Sequence, residues 1–276
     1  MLWKCRQTVF QLGPKPLIMG ILNVTPDSFS DGGKYLHPDQ ALEQAAIMIH
    51  EGADIIDVGG ESTRPGATAV TTEEELARTV PVIQALVKQH PNIPISIDTY
   101  KATVADQAVH AGASIINDVG AALWGDGMLE VLQKNQVGYI CMHTQGRPQD
   151  MQKNPTYSDV VADVLSFLSE RKSALLSAGI AQERLAFDVG IGFGKTLEHN
   201  IELIRQAEKM RPLERPLLWG LSRKSFISKL LNTSAQDRLV GGLAAYAKLL
   251  SNPSPQIWRV HDVAAHAQLI RMWAAL

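Results

Sequence analysis

Short apolar runs alternate with longer amphipathic stretches along almost the whole chain. The runs have the length and near-continuous apolar character of strands that are buried on both faces of a parallel sheet. The stretches between them place apolar residues at helical spacing. The predicted strands are Leu17–Leu22, Ile55–Val58, Ile95–Asp98, Ser114–Asn117, Gly138–Met142, Leu185–Asp188, Leu217–Gly220 and Gln256–Val260.

Strict alternation of strands and helices predicts parallel strands joined by right-handed crossovers. Eight such units in 276 residues match the size of an α/β fold of the (β/α)8 or TIM-barrel type. The stretch Gly52–Asp57 recurs in similar form as Gly112–Asn117, which supports a repeated unit. We predict a single barrel domain over residues 1–276, with its core at about 17–275. An open doubly wound sheet is the alternative, but it explains the strand ends less readily.

Nearly every predicted strand ends at a polar side chain. The carboxyl ends of barrel strands meet at one mouth, where the active sites of such barrels are built. Any one of these side chains alone could be a loop cap, but together they predict a functional site. They are Asn23, Asp57, Asp98, Asn117, His143, Asp188, Ser222, Lys224, Arg259 and His261.

This mixture of groups suits a flat heterocycle that carries several N–H donors and a carbonyl. Carboxylates such as Asp98 and Asp188 accept two N–H groups side by side, and Asn117 offers both a donor and an acceptor. Arg259 could lie on the face of the ring, or it could form a surface salt bridge.

The cations call for an anion as well. We expect Ser222 to open a helix whose free N–H groups bind a carboxylate or phosphate, although an ordinary N-cap is an equal alternative. Asn23, Arg64 and His261 could bind a second, more highly charged anion together with a hard divalent cation.

The stretch from Asp188 to Lys195 places glycines at positions 190, 192 and 194 directly after a strand. Glycine at these positions indicates a close approach to the backbone or a positive φ. A phosphate-binding P-loop is excluded because Val189 stands where that motif needs glycine. A capped turn between strand and helix is the remaining structural alternative.

Composition narrows the class of protein. The chain has 26 basic and 28 acidic residues, a net charge of −2, and no basic block, which argues against nucleic-acid or membrane partners. Two cysteines, Cys5 and Cys141, favour a reducing compartment. Met1 to Lys15 lacks a long apolar segment, so we predict a cytoplasmic protein.

Two hydrolase classes are disfavoured. A zinc or binuclear hydrolase on this barrel needs a His-X-His pair after the first strand, where the chain has Asn23. A serine hydrolase needs a Gly-X-Ser-X-Gly elbow, which the sequence lacks.

Several motifs in order resemble dihydropteroate synthase over nearly the whole chain. They are Gly20–Gly33, Asp57–Gly66, Asp188 with Gly190–Lys195, Ser222–Ser225 and Arg259–Asp262. The resemblance implies transfer of the (7,8-dihydropterin-6-yl)methyl group from its diphosphate to 4-aminobenzoate, which gives dihydropteroate and pyrophosphate. It further implies an SN1-like path, Mg²⁺ as cofactor, and a homodimer.

The resemblance also implies a role for each residue that matches a family motif. Asn23 ligates Mg²⁺, Asp57 orients its neighbours, and the catalytic set is Asp98, Lys224, Arg64 and His261. The pterin diphosphate is expected to contact Thr63, Asp98, Asn117, Met142, Asp188, Lys224, Arg259, Val260 and His261. The 4-aminobenzoate slot is expected to be shaped by Phe29, Pro65, Phe193 and Ser222.

The chain departs from the family pattern at two positions. Val189 stands where proline is usual, and Gly120 stands where many members carry a basic residue. Two other classes stay open, a barrel methyltransferase that binds a reduced folate and a non-catalytic pterin-binding relative. The first would have no evident use for the motifs around Asn23 and Arg64 or for Ser222–Ser225, and the second would be expected to lose Asn23, Arg64 or Lys224.

Overall fold

The computed structural model describes residues 1–25, 38–62, 66–234 and 237–276. The strands in these ranges are β1 (Leu2–Cys5), β2 (Thr8–Gln11), β3 (Leu17–Asn23), β4 (Ile55–Gly59), β5 (Ile95–Asp98), β6 (Ile115–Asp118), β7 (Gly138–Met142), β8 (Leu185–Asp188), β9 (Leu217–Trp219) and β10 (Gln256–Val260). The helices are α1 (Pro38–Glu51), α2 (Thr72–Gln89), α3 (Ala102–Ala111), α4 (Met128–Lys134), α5 (Val160–Ser177), α6 (Leu197–Arg205), α7 (Ser225–Leu231), α8 (Arg238–Leu250) and α9 (Val263–Ala275).

Strands β3 to β10 form a closed barrel in chain order, with β10 paired to both β3 and β9. Every pair in the barrel is parallel. The predicted barrel is therefore confirmed, and the open sheet is excluded because β3 and β10 close the ring.

Alternation along the strands divides the barrel interior into an apolar lower layer and a largely polar upper layer. Side chains two residues apart on a strand point to the same side, so each strand supplies one residue to each layer. The lower layer forms one apolar cluster that includes Met19, Ile55, Ile115, Ile140, Ala186, Leu218 and Ile257. Two residues further along each of these strands stand Ile21, Asp57, Asn117, Met142, Asp188, Gly220 and Arg259.

The opposite faces of the same strands pack against the helices. Trp258 and Val260 belong to this outer cluster, together with residues such as Val58 and Ile97. Val260 was predicted to contact the pterin diphosphate, but its side chain is buried on the helix side of the barrel. The reason is that Val260 follows Arg259 directly, and consecutive side chains on a strand point to opposite faces.

A hairpin that was not predicted closes the floor of the barrel. Strands β1 and β2 pair antiparallel, and Trp3, Cys5 and Leu12 join the lower apolar layer. The Trp3 indole donates to the carbonyl of Arg184 at 3.0 Å, and Arg215 Nη2 donates to the carbonyl of Leu2 at 2.7 Å. The floor is thus sealed by side chains and by hydrogen bonds to the backbone.

Both cysteines, Cys5 and Cys141, are free and buried. Within the described ranges, no helix combines the length and the apolar character that crossing a bilayer requires.

Candidate active site

The barrel mouth contains a cavity of about 450 Å³, counting the part that is open to solvent. The cavity is lined by Ile21, Asp98, Asn117, Val119, Met142, Asp188, Ile191, Phe193, Gly220, Ser222, Lys224, Arg259 and His261. Most of the side chains that the sequence placed at strand ends therefore meet in one space, as the barrel geometry requires.

Other predicted residues lie around this space or outside the described part. The carboxamide oxygen of Asn23 and the Asp98 carboxylate both lie within 4 Å of the point that a Cβ on Gly59 would occupy. Asp57 and His143 are buried and are not among the cavity-lining residues. The predicted residues outside the described ranges are Phe29, Thr63, Arg64 and Pro65.

Arg259 is held inside the barrel by two carboxylates. Its Nε donates to Asp57 Oδ2 at 2.6 Å, and its Nη2 donates to Asp98 Oδ2 at 2.6 Å. Asn117 Nδ2 donates to the same Asp57 oxygen at 3.1 Å. Arg259 and Asp57 together therefore link four strands, and the alternative of a surface salt bridge is wrong because Asp57 is fully buried.

The two carboxylate oxygens of Asp98 have different surroundings. Its Oδ1 is buried and has no hydrogen-bond partner in the structure, while Oδ2 accepts from Arg259. Burial raises the pKa of Asp98 to about 7, against the opposing effect of the Arg259 guanidinium, and the Asp57 carboxylate adds to the rise. A carboxyl group that changes charge near neutral pH and lines a cavity is typical of a functional site.

Asp188 is fixed by the loop that follows it. Its Oδ1 accepts from the Gly190 backbone N–H at 2.7 Å, which is a turn made by the carboxylate itself. Burial raises the pKa of Asp188, although this hydrogen bond and the Lys224 and Lys195 ammonium groups oppose the rise. One carboxylate oxygen of Asp188 is thus committed to the Gly190 backbone.

The Ser222 hydroxyl is engaged with His261. It accepts from the His261 backbone N–H at 3.1 Å and lies 3.1 Å from His261 Nδ1. The hydroxyl can donate to Nδ1 or accept from it, according to which ring nitrogen carries the imidazole proton. The expectation that Ser222 opens a helix is wrong, because α7 begins at Ser225 with Lys224 as its N-cap.

Phe193 and Lys224 form one wall of the cavity. Lys224 Nζ lies 4.1 Å from the centroid of the Phe193 ring, a cation–π contact. A Cβ on Gly192 would lie 3.2 Å from Lys224 Cδ, so the glycine-rich loop passes close to this lysine. The loop thus positions both the ring and the ammonium group.

Four cavity residues were missed by the sequence analysis. Ile21 and Val119 lie two positions from Asn23 and Asn117, and Gly220 lies two positions from Leu218, so strand alternation could have identified all three. Nothing lies within 4 Å of the point that a Cβ on Gly220 would occupy, which leaves space at that side of the mouth. Ile191 lies in a loop, where no period applies.

The two departures from the family pattern have structural explanations. A Cβ on Gly120 would meet Trp124 at 3.0 Å, so the indole occupies the space that a longer side chain would need. Val189 is fully buried in the outer apolar cluster. Neither residue contributes to the cavity lining.

A model of the pterin binding enzyme family matches residues 19–261 of the chain. The matched segment begins in β3 and ends directly after β10, so it spans the complete barrel and every described residue of the cavity. The fold and the site therefore define a pterin-binding barrel enzyme.

Within this class, the chain belongs to the dihydropteroate synthase family. The enzyme of Synechocystis is 45% identical over 270 residues, which cover 98% of this chain and 93% of that relative. The structure of Yersinia pestis dihydropteroate synthase with a sulfonamide drug complex matches with a TM-score of 0.92 and 42% identity, covering 100% of this chain and 98% of the other. Xanthomonas albilineans dihydropteroate synthase with 4-aminobenzoic acid matches with a TM-score of 0.91 and 43% identity, covering 99% and 97%.

These comparisons confirm the predicted family and the predicted activity of a transferase in folate biosynthesis. They also decide against the hydrolase, methyltransferase and non-catalytic alternatives, because the relatives and solved structures reported above are dihydropteroate synthases.

Proposed function

We propose that the cavity binds the dihydropterin ring through Asp98, Asn117, Asp188 and Lys224. The observation that supports this assignment is that side chains from separate strands and a loop line one cavity. The free oxygens of Asp98 and Asp188 accept ring N–H groups, and Met142 packs on the ring. The Arg259 guanidinium is held at the rim of the cavity, because its Nε donates to Asp57 and its Nη2 donates to Asp98.

We propose that the diphosphate lies on the β3 and β10 side of the mouth. His261 lines the cavity there, with its Nδ1 3.1 Å from the Ser222 hydroxyl. Thr63 and Arg64 are assigned to the diphosphate by their place in the family motif. Val260 can take part only through its backbone, since its side chain faces the helices.

Mg²⁺ is the proposed cofactor, with Asn23 as its protein ligand. The described residues contain no group of three or more His, Cys, Asp or Glu side chains that could hold a metal. Mg²⁺ commonly binds through one or two protein oxygens, substrate phosphates and water, and the Asn23 carboxamide supplies one such oxygen. When bound, the ion would neutralise charge on the departing diphosphate.

The 4-aminobenzoate is proposed to bind beside Phe193 and Ser222, with Phe29 and Pro65 completing the slot. Phe193 offers an aromatic face, and Lys224 lies against it. The solved Xanthomonas albilineans enzyme that contains 4-aminobenzoic acid supports this choice of second substrate.

The residues favour a dissociative, SN1-like reaction. An arylamine is a weak nucleophile, so the rate depends on departure of the diphosphate. Arg64, His261 and Lys224 stabilise the negative charge of the leaving group, and the Asp98 carboxylate stabilises the cationic methylene. The C–O bond to diphosphate breaks first and its electron pair leaves with the diphosphate, the amine nitrogen then bonds to the methylene carbon, and the amine releases a proton.

A homodimer is proposed from the family resemblance. Large apolar side chains on α7 and α8 are exposed in the monomer, namely Leu230, Leu231 and Val240, and a self-association surface would cover such groups. Sedimentation equilibrium should give twice the chain mass of 30.1 kDa. A monomer mass at micromolar concentration would contradict this proposal. The cytoplasmic location stays a prediction.

The assignment is tested by mixing the purified protein with the pterin diphosphate, Mg²⁺ and 4-aminobenzoate. Release of pyrophosphate together with dihydropteroate is the expected result. Lys224→Ala, which removes an ammonium group from the cavity wall, should lose most turnover while the circular dichroism spectrum stays unchanged. Pyrophosphate release without dihydropteroate would mean that water captures the intermediate and that the aminobenzoate slot is wrongly assigned.

A further inference from the structure

The backbone of the glycine-rich loop, residues 190–194, accepts hydrogen bonds from three side chains. The carbonyl of Gly192 accepts from Gln152 Nε2 at 2.7 Å, and that of Gly194 accepts from the Tyr157 hydroxyl at 2.7 Å. The carbonyl of Phe193 accepts from the Lys195 ammonium group at 3.0 Å. The loop that carries Phe193 is therefore fixed through its backbone.

Of these three donors, Lys195 is the buried one. Its side chain is 3% exposed, and it is not among the cavity-lining residues. Its Nζ lies 2.9 Å from His143 Nδ1, at the end of β7. Most lysines are solvated surface charges, but the burial of Lys195 excludes this interpretation here.

His143 is suited to accept from this lysine. Burial and the neighbouring Lys195 lower the pKa of His143 to about 2, so the imidazole is neutral. Nδ1 then accepts a hydrogen bond from the Lys195 ammonium group, and the imidazole proton resides on Nε2. The ring packs edge-on against Phe167, with centroids 4.9 Å apart, which fixes its orientation.

Burying an ammonium group is costly, and the surroundings only partly compensate. Burial lowers the pKa of Lys195 to about 7, with Lys224 acting in the same direction and Asp188 opposing it. A methionine would fill similar space without this cost. The presence of a lysine therefore needs an explanation other than packing.

We propose that Lys195 is a positioning residue for the second substrate. By joining the Phe193 carbonyl to His143, Lys195 holds in place Phe193 and the Lys224 ammonium group that lies against the Phe193 ring. This inference rests on the proposed 4-aminobenzoate slot. It assigns no contact between Lys195 and either substrate. Lys195 acts through Phe193, whose ring bounds the slot.

Lys195→Met in the full chain tests the proposal, with Lys172→Met as the matched control. Lys172 also donates to a backbone carbonyl, that of Leu213 at 2.7 Å, but it lies in α5 and joins this helix to the segment before β9. Amide hydrogen exchange follows the loop, where the Gly190, Gly192 and Phe193 N–H groups donate to Asp188, Asn200 and Gly190. Steady-state kinetics measure KM for each substrate separately.

We expect Lys195→Met to raise exchange at these amides about tenfold and the KM for 4-aminobenzoate about tenfold, with less than a threefold change for the pterin diphosphate. Lys172→Met should change neither. Unchanged exchange in Lys195→Met would overturn the proposal. Equal rises in both KM values, with a lower melting temperature, would show a general folding role instead and would also overturn it.

The outcome is separable from the proposed function. If the wild-type protein forms no dihydropteroate, the reaction assignment fails. The exchange comparison needs no substrate, so it still decides whether Lys195 holds the loop.

Discussion

Asp57 shows how a single buried carboxylate organises the mouth. It accepts from Arg259 and Asn117 through the same oxygen, and its other oxygen has no partner. Removing one partner of such a buried pair leaves an uncompensated charge and commonly costs about 3–5 kcal/mol. The arrangement agrees with the expectation that Asp57 orients its neighbours, because it fixes Arg259 beside Asp98.

Asp188→Asn should weaken pterin binding by about 2–4 kcal/mol. Because one oxygen of Asp188 accepts from Gly190, an asparagine that keeps this bond turns its NH2 group toward the ligand. The side-chain NH2 donor then faces the N–H donors of the pterin ring. Calorimetric titration with a pterin measures the loss, and Asp126→Asn, at an exposed position, is the control. Equal affinity in Asp188→Asn and wild type would refute the contact.

Asp98 should give the reaction a pH dependence near neutrality. Its pKa is raised to about 7, so the carboxylate, which is proposed to stabilise the cationic methylene, forms as the pH rises through that value. We expect kcat/KM, which reports on the free enzyme, to increase about tenfold from pH 6 to pH 8. Asp98→Asn should be less active and should lack this step. A flat wild-type profile would argue that Asp98 is ionised throughout.

Among the elements, the glycine-rich loop is the most constrained. Gly190 has φ of 70°, and a Cβ there would overlap the carbonyl oxygen of His143. Gly190→Ala should therefore lower the free energy of unfolding by about 3 kcal/mol or more. Gly179 is a matched control, since it has φ of 83° but open space around it, and Gly179→Ala should cost only about 1 kcal/mol. Urea denaturation that gives equal losses would contradict the packing argument.

Strand ends were predictable from the sequence because apolar runs, their length and their final polar residues are local features. This sufficed for Asp98, Asn117 and Asp188, which lie where expected. Strand alternation also gives the side of the barrel on which Val260 lies. The contact with the diphosphate was instead predicted from the family motif, which does not distinguish the two faces of the strand. The pairing of Lys195 with His143 was not predictable, because it depends on the path of a loop relative to another strand. The helix start at Ser225 was likewise set by a positive φ of 56° at Arg223, which is uncommon outside glycine.

On the scale of the whole molecule, binding and stability occupy opposite ends of the barrel. The polar layer faces the cavity, and the apolar layer beneath it is closed by the β1–β2 hairpin. The hairpin was not predicted because its two short strands gain their burial from residues distant in sequence, such as Arg184.

Trp3→Ala should separate these two ends. The indole is fully buried, so its removal should lower the free energy of unfolding by about 3–5 kcal/mol. Both KM values should stay unchanged because the hairpin lies away from the mouth. Val9→Ala, at an exposed position of the same hairpin, should cost less than about 0.5 kcal/mol. A Trp3→Ala variant with raised KM but normal stability would show that the floor influences the mouth.

The floor also bears on the order of events during synthesis. The chain emerges from the ribosome amino end first, so Trp3 and Cys5 appear well before β7 and β8, the strands that β1 contacts. Until those strands appear, the indole and thiol are without their native neighbours, and a nascent chain arrested before residue 185 should expose them to solvent and to chaperones.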